Sequence, residues 1–260
     1  MILRFVKSII KFFKRFLAVV IAAVIWETLP RTGFIDAYTL PPFSSVVKKL
    51  VEMLLSLELQ MHFGISFERM FFGFALSIIV AIPLGFLVGW SERLERILDP
   101  LMQLSRNTPS LALYPLFILV LGFSEFSKAG IIFWGAVWPA LFSTIEGVKN
   151  VDAVLIKATR SMGAGKIVLF FKVILPSAFP AIFTGIRLSA SRSVIILVAA
   201  EMLGADSGLG HLIFFAENHF ETEKMYTGII ALIIMGVAVN YTLVAVERKI
   251  TKWRQEPGEA

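Results

Sequence analysis

The sequence has 260 residues, 57% hydrophobic and 17% charged, with 25 Lys and Arg against 19 Asp and Glu, a net charge of +6 and a mean hydropathy of +0.79. A soluble domain carries about 25% charged residues, so this composition excludes a soluble enzyme and a disordered chain and describes an integral membrane protein. The absence of Cys excludes disulfides, Cys-ligated zinc, iron–sulfur clusters and a thiol nucleophile together.

A membrane helix needs about 20 mostly apolar residues, because the hydrocarbon layer is about 30 Å thick and the helix rises about 1.5 Å per residue. In chain order the pattern predicts spans at about 12–29, 66–90, 107–124, 129–145, 177–200 and 225–246. The first is short and follows Arg4, Lys7, Lys11, Lys14 and Arg15, a pattern shared with secretory signal peptides. No small-residue cleavage site closes it, which favours a retained span. The third and fourth are separated by residues 125–128 and read as a tight hairpin. The fifth is interrupted by Arg187 and Arg192.

With both termini inside, the cytoplasmic segments hold 17 Lys and Arg and the outer segments six, which sets the orientation by the excess of positive charge on the inner side. Anionic lipid head groups account for that basic face, and no nucleic-acid partner is needed. Small residues recur every fourth position in the second span (Gly73, Ser77, Ala81, Gly85, Gly89) and the fifth (Ala181, Gly185, Ser189, Ser193). Such stripes let helix backbones approach closely, so the spans are expected to form a bundle, with kinks at Pro83 and Pro139 where neighbours satisfy the freed carbonyls. In the outer segment, Leu40-Pro41-Pro42, then Ser44 and Ser45, then Val46, Val47, Leu50, Val51, Leu54 and Leu55 predict a turn, a serine cap and an amphipathic helix lying on the outer membrane surface.

The cytoplasmic stretch 146–172 is long for a connection within a bundle. Val151, Val154, Leu155 and Ala158 recur at helical spacing, Asn150 is placed to cap that helix, and Gly163 to end it in a left-handed conformation. A second short basic and apolar run then leads to Val173-Ile174-Leu175-Pro176. This resembles the coupling motif of binding-protein-dependent ABC importer permeases: Glu-Ala-Ala, three residues, Gly, nine residues, Ile-x-Leu-Pro. Here it falls on Lys157, Ala158 and Thr159, then Gly163, then Val173, Leu175 and Pro176, with Lys157 in place of the Glu and Thr159 in place of the second Ala. The resemblance covers about residues 30–250 and points to the aliphatic sulfonate, taurine and nitrate branch, most clearly at Leu111-Ala112-Leu113-Tyr114-Pro115 and Ala200-Glu201-Met202-Leu203.

The resemblance implies an all-α, six-span permease of the type I, methionine-importer-like fold in a bacterial inner membrane. It implies a second permease copy, identical or not, two ATPase subunits that bind ATP and Mg on their own chains, and an extracytoplasmic binding protein that delivers a small anionic solute. Permeases for thiamine-precursor pyrimidines and riboflavin belong to the same branch and remain the alternative substrates. An ATP-independent carrier or channel is the alternative class, though no internal repeat supports it.

Gly163-Ala164-Gly165-Lys166 lacks the earlier Gly and the hydroxyl of a phosphate loop, with Ile167 in the latter's place, and reads as a helix-ending turn. His62, His211 and His219 have no metal-binding spacing, and no nucleophile elbow is present. Charges within a span are costly and normally face protein or a water-filled path. Arg192 shares the small-residue face and is the first candidate for the solute path; a buried structural pairing is its alternative. Arg187 points the other way and is expected to snorkel to the cytoplasmic interface. Glu201, near the outer end of the fifth span, carries the same two readings as Arg192. The outer acidic residues Asp206, Glu217, Glu221 and Glu223 are either a docking surface for a binding protein or simply solvated.

Overall fold

The computed structural model describes residues 2–250, with side chains from Leu17 onward. The basic side chains of Arg4, Lys7, Lys11, Lys14 and Arg15, and Lys252 and Arg254, counted above on the cytoplasmic side, lie outside the described residues. The described chain is helical: α1 (Ile2–Arg31), α2 (Phe43–Leu55), α3 (Glu58–Trp90), α4 (Glu92–Asn107), a 3-10 turn (Ser110–Leu113), α5 (Tyr114–Leu121), α6 (Glu125–Lys149), α7 (Ala153–Ser161), α8 (Lys166–Leu169), a π turn (Phe170–Ile174), α9 (Leu175–Gly204), α10 (Leu209–Asn218) and α11 (Thr222–Ile250). Among the described residues, α3, α6, the continuous run Lys166–Gly204 and α11 are long and apolar enough to cross a membrane.

Helix α6 is the centre of the bundle: 61% of its most apolar stretch is buried, against 11% for α11. Both small-residue stripes pack on it. From α3, Gly73 meets Ile132 and the Ala129 carbonyl, and Gly85 meets Thr144 and the Leu141 carbonyl; a Cβ at Gly85 would sit 2.6 Å from Thr144 Cβ. From α9, Gly185 meets Ser143 and Ala140, while Ala181 faces Gly147. Without a hydrophobic drive between helices in lipid, such close backbone contact supplies the dispersion energy of association.

Pro139 removes one backbone donor from the middle of α6. The Ser189 hydroxyl of α9 inserts beside it, donating to the Ala136 carbonyl at 2.6 Å and accepting from the Ala140 amide at 3.1 Å. It thereby bridges an interrupted intrahelical bond and fixes the helix pair in register. Ser189→Ala leaves both buried backbone groups unpaired, and at about 1–3 kcal/mol for an unsatisfied buried group we expect a lower thermal midpoint in detergent. A midpoint matching the unmutated chain would show that the gap closes without the hydroxyl.

Several local expectations need correction. The third span, expected at 107–124, is broken at Pro109 and Gly122: α4 ends at Asn107, and Ser110–Leu121 is a short apolar piece about 18 Å long. Residues 125–128 are not the hairpin turn but the first turn of α6, capped by Ser124, whose hydroxyl accepts from the Ser127 amide; the reversal occupies 122–124. Neither serine caps α2. Its N-cap is Pro42, and Ser44 instead donates through its amide and hydroxyl to Glu27, both at 2.9 Å. The α2 segment is also docked on protein rather than lying free: Val46 and Met53 are buried, the Trp26 indole donates to the Pro41 carbonyl, and Tyr226 donates to the Thr39 carbonyl.

Candidate functional site

The motif 157–176 divides into an exposed half and a packed half. Helix α7 is capped by Asp152, whose carboxylate accepts from the Val154 amide at 2.7 Å. Asn150, the cap expected from sequence, instead closes the end of α6. No residue of α7 is buried. Lys157 and Ala158 are exposed, Thr159 is half-buried with its hydroxyl on the Leu155 carbonyl, and Val154 and Met162 are 69% and 79% exposed. Gly163 follows at φ +78°, the left-handed region that a glycine enters without a Cβ penalty. Its amide donates to the Arg160 carbonyl, and the Ala164 amide donates to that of Thr159, closing the helix end.

The second half anchors this projection to the bundle. Val173 lies in the π turn, and Leu175 and Pro176 begin α9. Pro176 stands in the first turn of α9, where its missing amide hydrogen interrupts the helix least. All three side chains are half-buried, and Val173 and Leu175 pack against a cluster containing Phe86, Val148, Val151, Leu169 and Ile174. That cluster joins side chains of α3, α6, the π turn and α9.

At the opposite end of the bundle, Glu201 is fully buried. Its carboxylate accepts from the Ser66 hydroxyl at 2.8 Å, the Gly210 amide at 2.8 Å and the Arg69 guanidinium at 2.9 Å. Arg69, only 6% exposed, also pairs with Glu125 and donates to the Ser207 carbonyl. Ser66 accepts from the Leu209 amide, and His62 Nδ1 accepts from the Gly208 amide. Together these tie the connection between α9 and α10 to α3 and α6. The hydrogen bonds of the Glu201 carboxylate all run to α3 and to the start of α10, the buried structural pairing that was one of its two readings. Ser66 and Arg69 escaped the sequence reading. Their only signal was spacing, since His62, Ser66 and Arg69 share one face of α3.

Arg192 stands apart. It is exposed into a cavity of about 480 Å³ between the end of α4, the 3-10 turn, α6 and α9, and makes no ion pair or hydrogen bond among the described residues. Arg187, expected to snorkel to the cytoplasmic interface, pairs with Glu247 of α11 at 3.4 Å. Lys224 pairs with Glu58 and Glu221, so part of the outer acidic surface is internally compensated. Among the described residues no three His, Cys, Asp or Glu side chains are grouped to hold a metal.

A bundle of apolar helices joined by close small-residue contacts, with a polar cavity between them and a short helix projecting from one end, defines a membrane transport subunit. The chain belongs to the family of binding-protein-dependent transport system inner membrane components, whose model matches residues 81–252. It is 39% identical to the putative aliphatic sulfonates transport permease protein of Bacillus subtilis, over 91% of this chain and 85% of that one. It is 32% identical to the taurine transport system permease protein of Escherichia coli, over 89% and 86%, and 30% identical to the formylaminopyrimidine transport permease protein of Halalkalibacterium halodurans, over 90% and 92%. Its fold matches a chain of the inward-facing MetNI methionine ABC transporter with a TM-score of 0.63 at 19% identity, covering 77% of this chain and 97% of that chain. The chain is thus an ABC importer permease of the type I fold and not itself an enzyme.

Proposed function

We propose that this permease imports a small organic anion of the sulfonate or taurine kind, as one of two permease copies seated on two ATPase subunits and supplied by an extracytoplasmic binding protein. The observation that carries the reading is the projecting segment 153–163. It is a capped, glycine-terminated helix with no fully buried residue, exposed apolar side chains at Val154 and Leu155, and half-buried Ile156 as its contact with the bundle cluster, joined to a packed anchor at Val173 and Leu175. An isolated nine-residue helix is marginal in water, and apolar exposure of this kind is relieved by a protein partner.

The coupling residues are then Lys157, Ala158, Thr159 and Gly163 at the ATPase surface, and Val173, Leu175 and Pro176 as the anchor. ATP and Mg belong to the ATPase chains. Both termini lie on the cytoplasmic side, supported by the distribution of Lys and Arg. The chain then crosses six times, with α4, the 3-10 turn and α5 together making the third crossing, and Arg192 lines the solute path. The 39% and 32% identities to sulfonate and taurine permeases favour an organic anion over a pyrimidine.

A mild-detergent pull-down of the tagged permease from its native membrane tests the assembly. Recovery of a phosphate-loop ATPase in about equal amount is the expected result. Repeated recovery of the folded permease alone would overturn it in favour of an ATP-independent carrier.

A further inference from the structure

The cavity that Arg192 enters holds two more uncompensated charges, Arg106 from the last turn of α4 and Glu146 from α6. None of the three forms an ion pair among the described residues, whereas Arg69 of α3 and Arg187 of α9 both do. Arg192 lies about 18 Å along α9 from its Gly204 end at 1.5 Å per residue, deep within a membrane-length helix. An arginine at that depth costs at least ~2.5–3.5 kcal/mol unless it meets water or a counter-charge. Two such cations opening on one cavity describe a place for an anion.

The remaining walls narrow its chemistry. Trp138, Phe142 and Glu146 recur every fourth residue along one face of α6, about 6 Å apart. The Arg106 guanidinium lies 4.8 Å from the Phe142 ring centre, a stacking that orients its planar fork while leaving its N–H groups free for an oxyanion. With Arg106, Arg192 and Glu146 the cavity carries one net positive charge, which matches a monoanion and leaves a dianion overcharged. Ser143 adds a hydroxyl to the wall.

We infer that Arg106 and Arg192 form an anion subsite for the oxyanion head of an organic monoanion, with Trp138 and Phe142 flanking its apolar stem and Glu146 disfavouring dianions. The subsite deepens the substrate proposed above and rests on that reading for its place in transport.

The test uses the full-length permease with whatever subunits copurify, held in lipid nanodiscs, with trifluoromethanesulfonate as a fluorine NMR probe. Saturable line broadening is expected, displaced by methanesulfonate and not by sulfate at equal concentration. Each charged hydrogen bond lost should weaken binding by about tenfold or more, so Arg106→Gln and Arg192→Gln each shift the saturation curve by that factor. Arg192→Lys, which keeps the charge, shifts it less, and Glu146→Gln lets sulfate compete. Absence of saturable broadening, or glutamine variants that bind as the unmutated permease does, overturns the subsite; so does displacement by sulfate equal to that by methanesulfonate. The importer reading is scored separately by copurification of the ATPase, so its loss with probe binding intact would sink that reading and leave the subsite standing.

Discussion

Arg69→Met is expected to lower the stability of the folded permease by about 3–5 kcal/mol, the cost of stranding a buried charge by removing its partner. Glu201 is fully buried, and after the substitution it keeps the Ser66 hydroxyl and the Gly210 amide but has no cation. The bond from Arg69 to Glu125 contributes little to this figure, because the Glu125 side chain is 61% exposed and exposed pairs are worth about 0–1 kcal/mol. Glu201→Gln removes the charge along with its need for a partner, so the double variant should cost clearly less than the two single variants added together. Thermal unfolding of all three in one detergent checks this. An Arg69→Met midpoint equal to that of the unmutated chain, or strict additivity in the cycle, would show that the pair is not coupled.

The location of this network gives the same substitution a local consequence. Ser66, Arg69 and His62 hold the backbone of residues 207–209 by three hydrogen bonds, and Arg69 donates a fourth to the Ser207 hydroxyl, so losing Arg69 frees part of the connection between α9 and α10. Limited proteolysis there should accelerate in Arg69→Met before the bundle melts.

Gly163→Pro should leave a membrane-inserted permease that no longer stimulates the ATPase. The glycine has φ +78° and its amide donates to the Arg160 carbonyl at 2.9 Å, while proline fixes φ near −65° and has no amide hydrogen. No atom lies within 4 Å of a Cβ built at Gly163, so the damage comes from backbone conformation and not from a clash. Because α7 is outside the core, the loss falls on coupling rather than on folding. Gly163→Asp, in the same left-handed region at a cost of about 1–2 kcal/mol, should also lose coupling. The measurement is solute-stimulated ATP hydrolysis in proteoliposomes beside thermal unfolding. Full stimulation in Gly163→Pro would remove this turn from the coupling machinery.

The parts legible in the sequence are those whose physics is local or periodic. Length of apolar run located the long helices, because lipid requires every backbone bond to be satisfied within the segment. Small residues every fourth position in α3 and α9 marked the faces that meet α6, and Gly163 announced the end of α7. The misreadings occurred where two neighbouring residues competed for one role. Asn150 and Asp152 were both able to cap α7, and the sequence reading chose the one that closes α6; Ser44 had a cap's chemistry, yet Glu27, 17 residues earlier, took its hydroxyl. The breaks in the helix within 107–124 were not read because Pro109 and Gly122 act on backbone direction without changing hydropathy.

Sequence alone determined that this chain is a helical membrane protein with its basic residues unevenly distributed between the segments that join its apolar runs, and with a glycine placed to end a short helix, since composition, charge and spacing are properties of the chain in order. The tertiary structure decided which charges are paired within the fold and which face a cavity. Arg69, Arg187 and Arg192 are alike as letters; two of them meet carboxylates 132 and 60 residues away, and the third meets a cavity. Electrostatic energy depends on distance in space, and that distance exists only once the helices have packed.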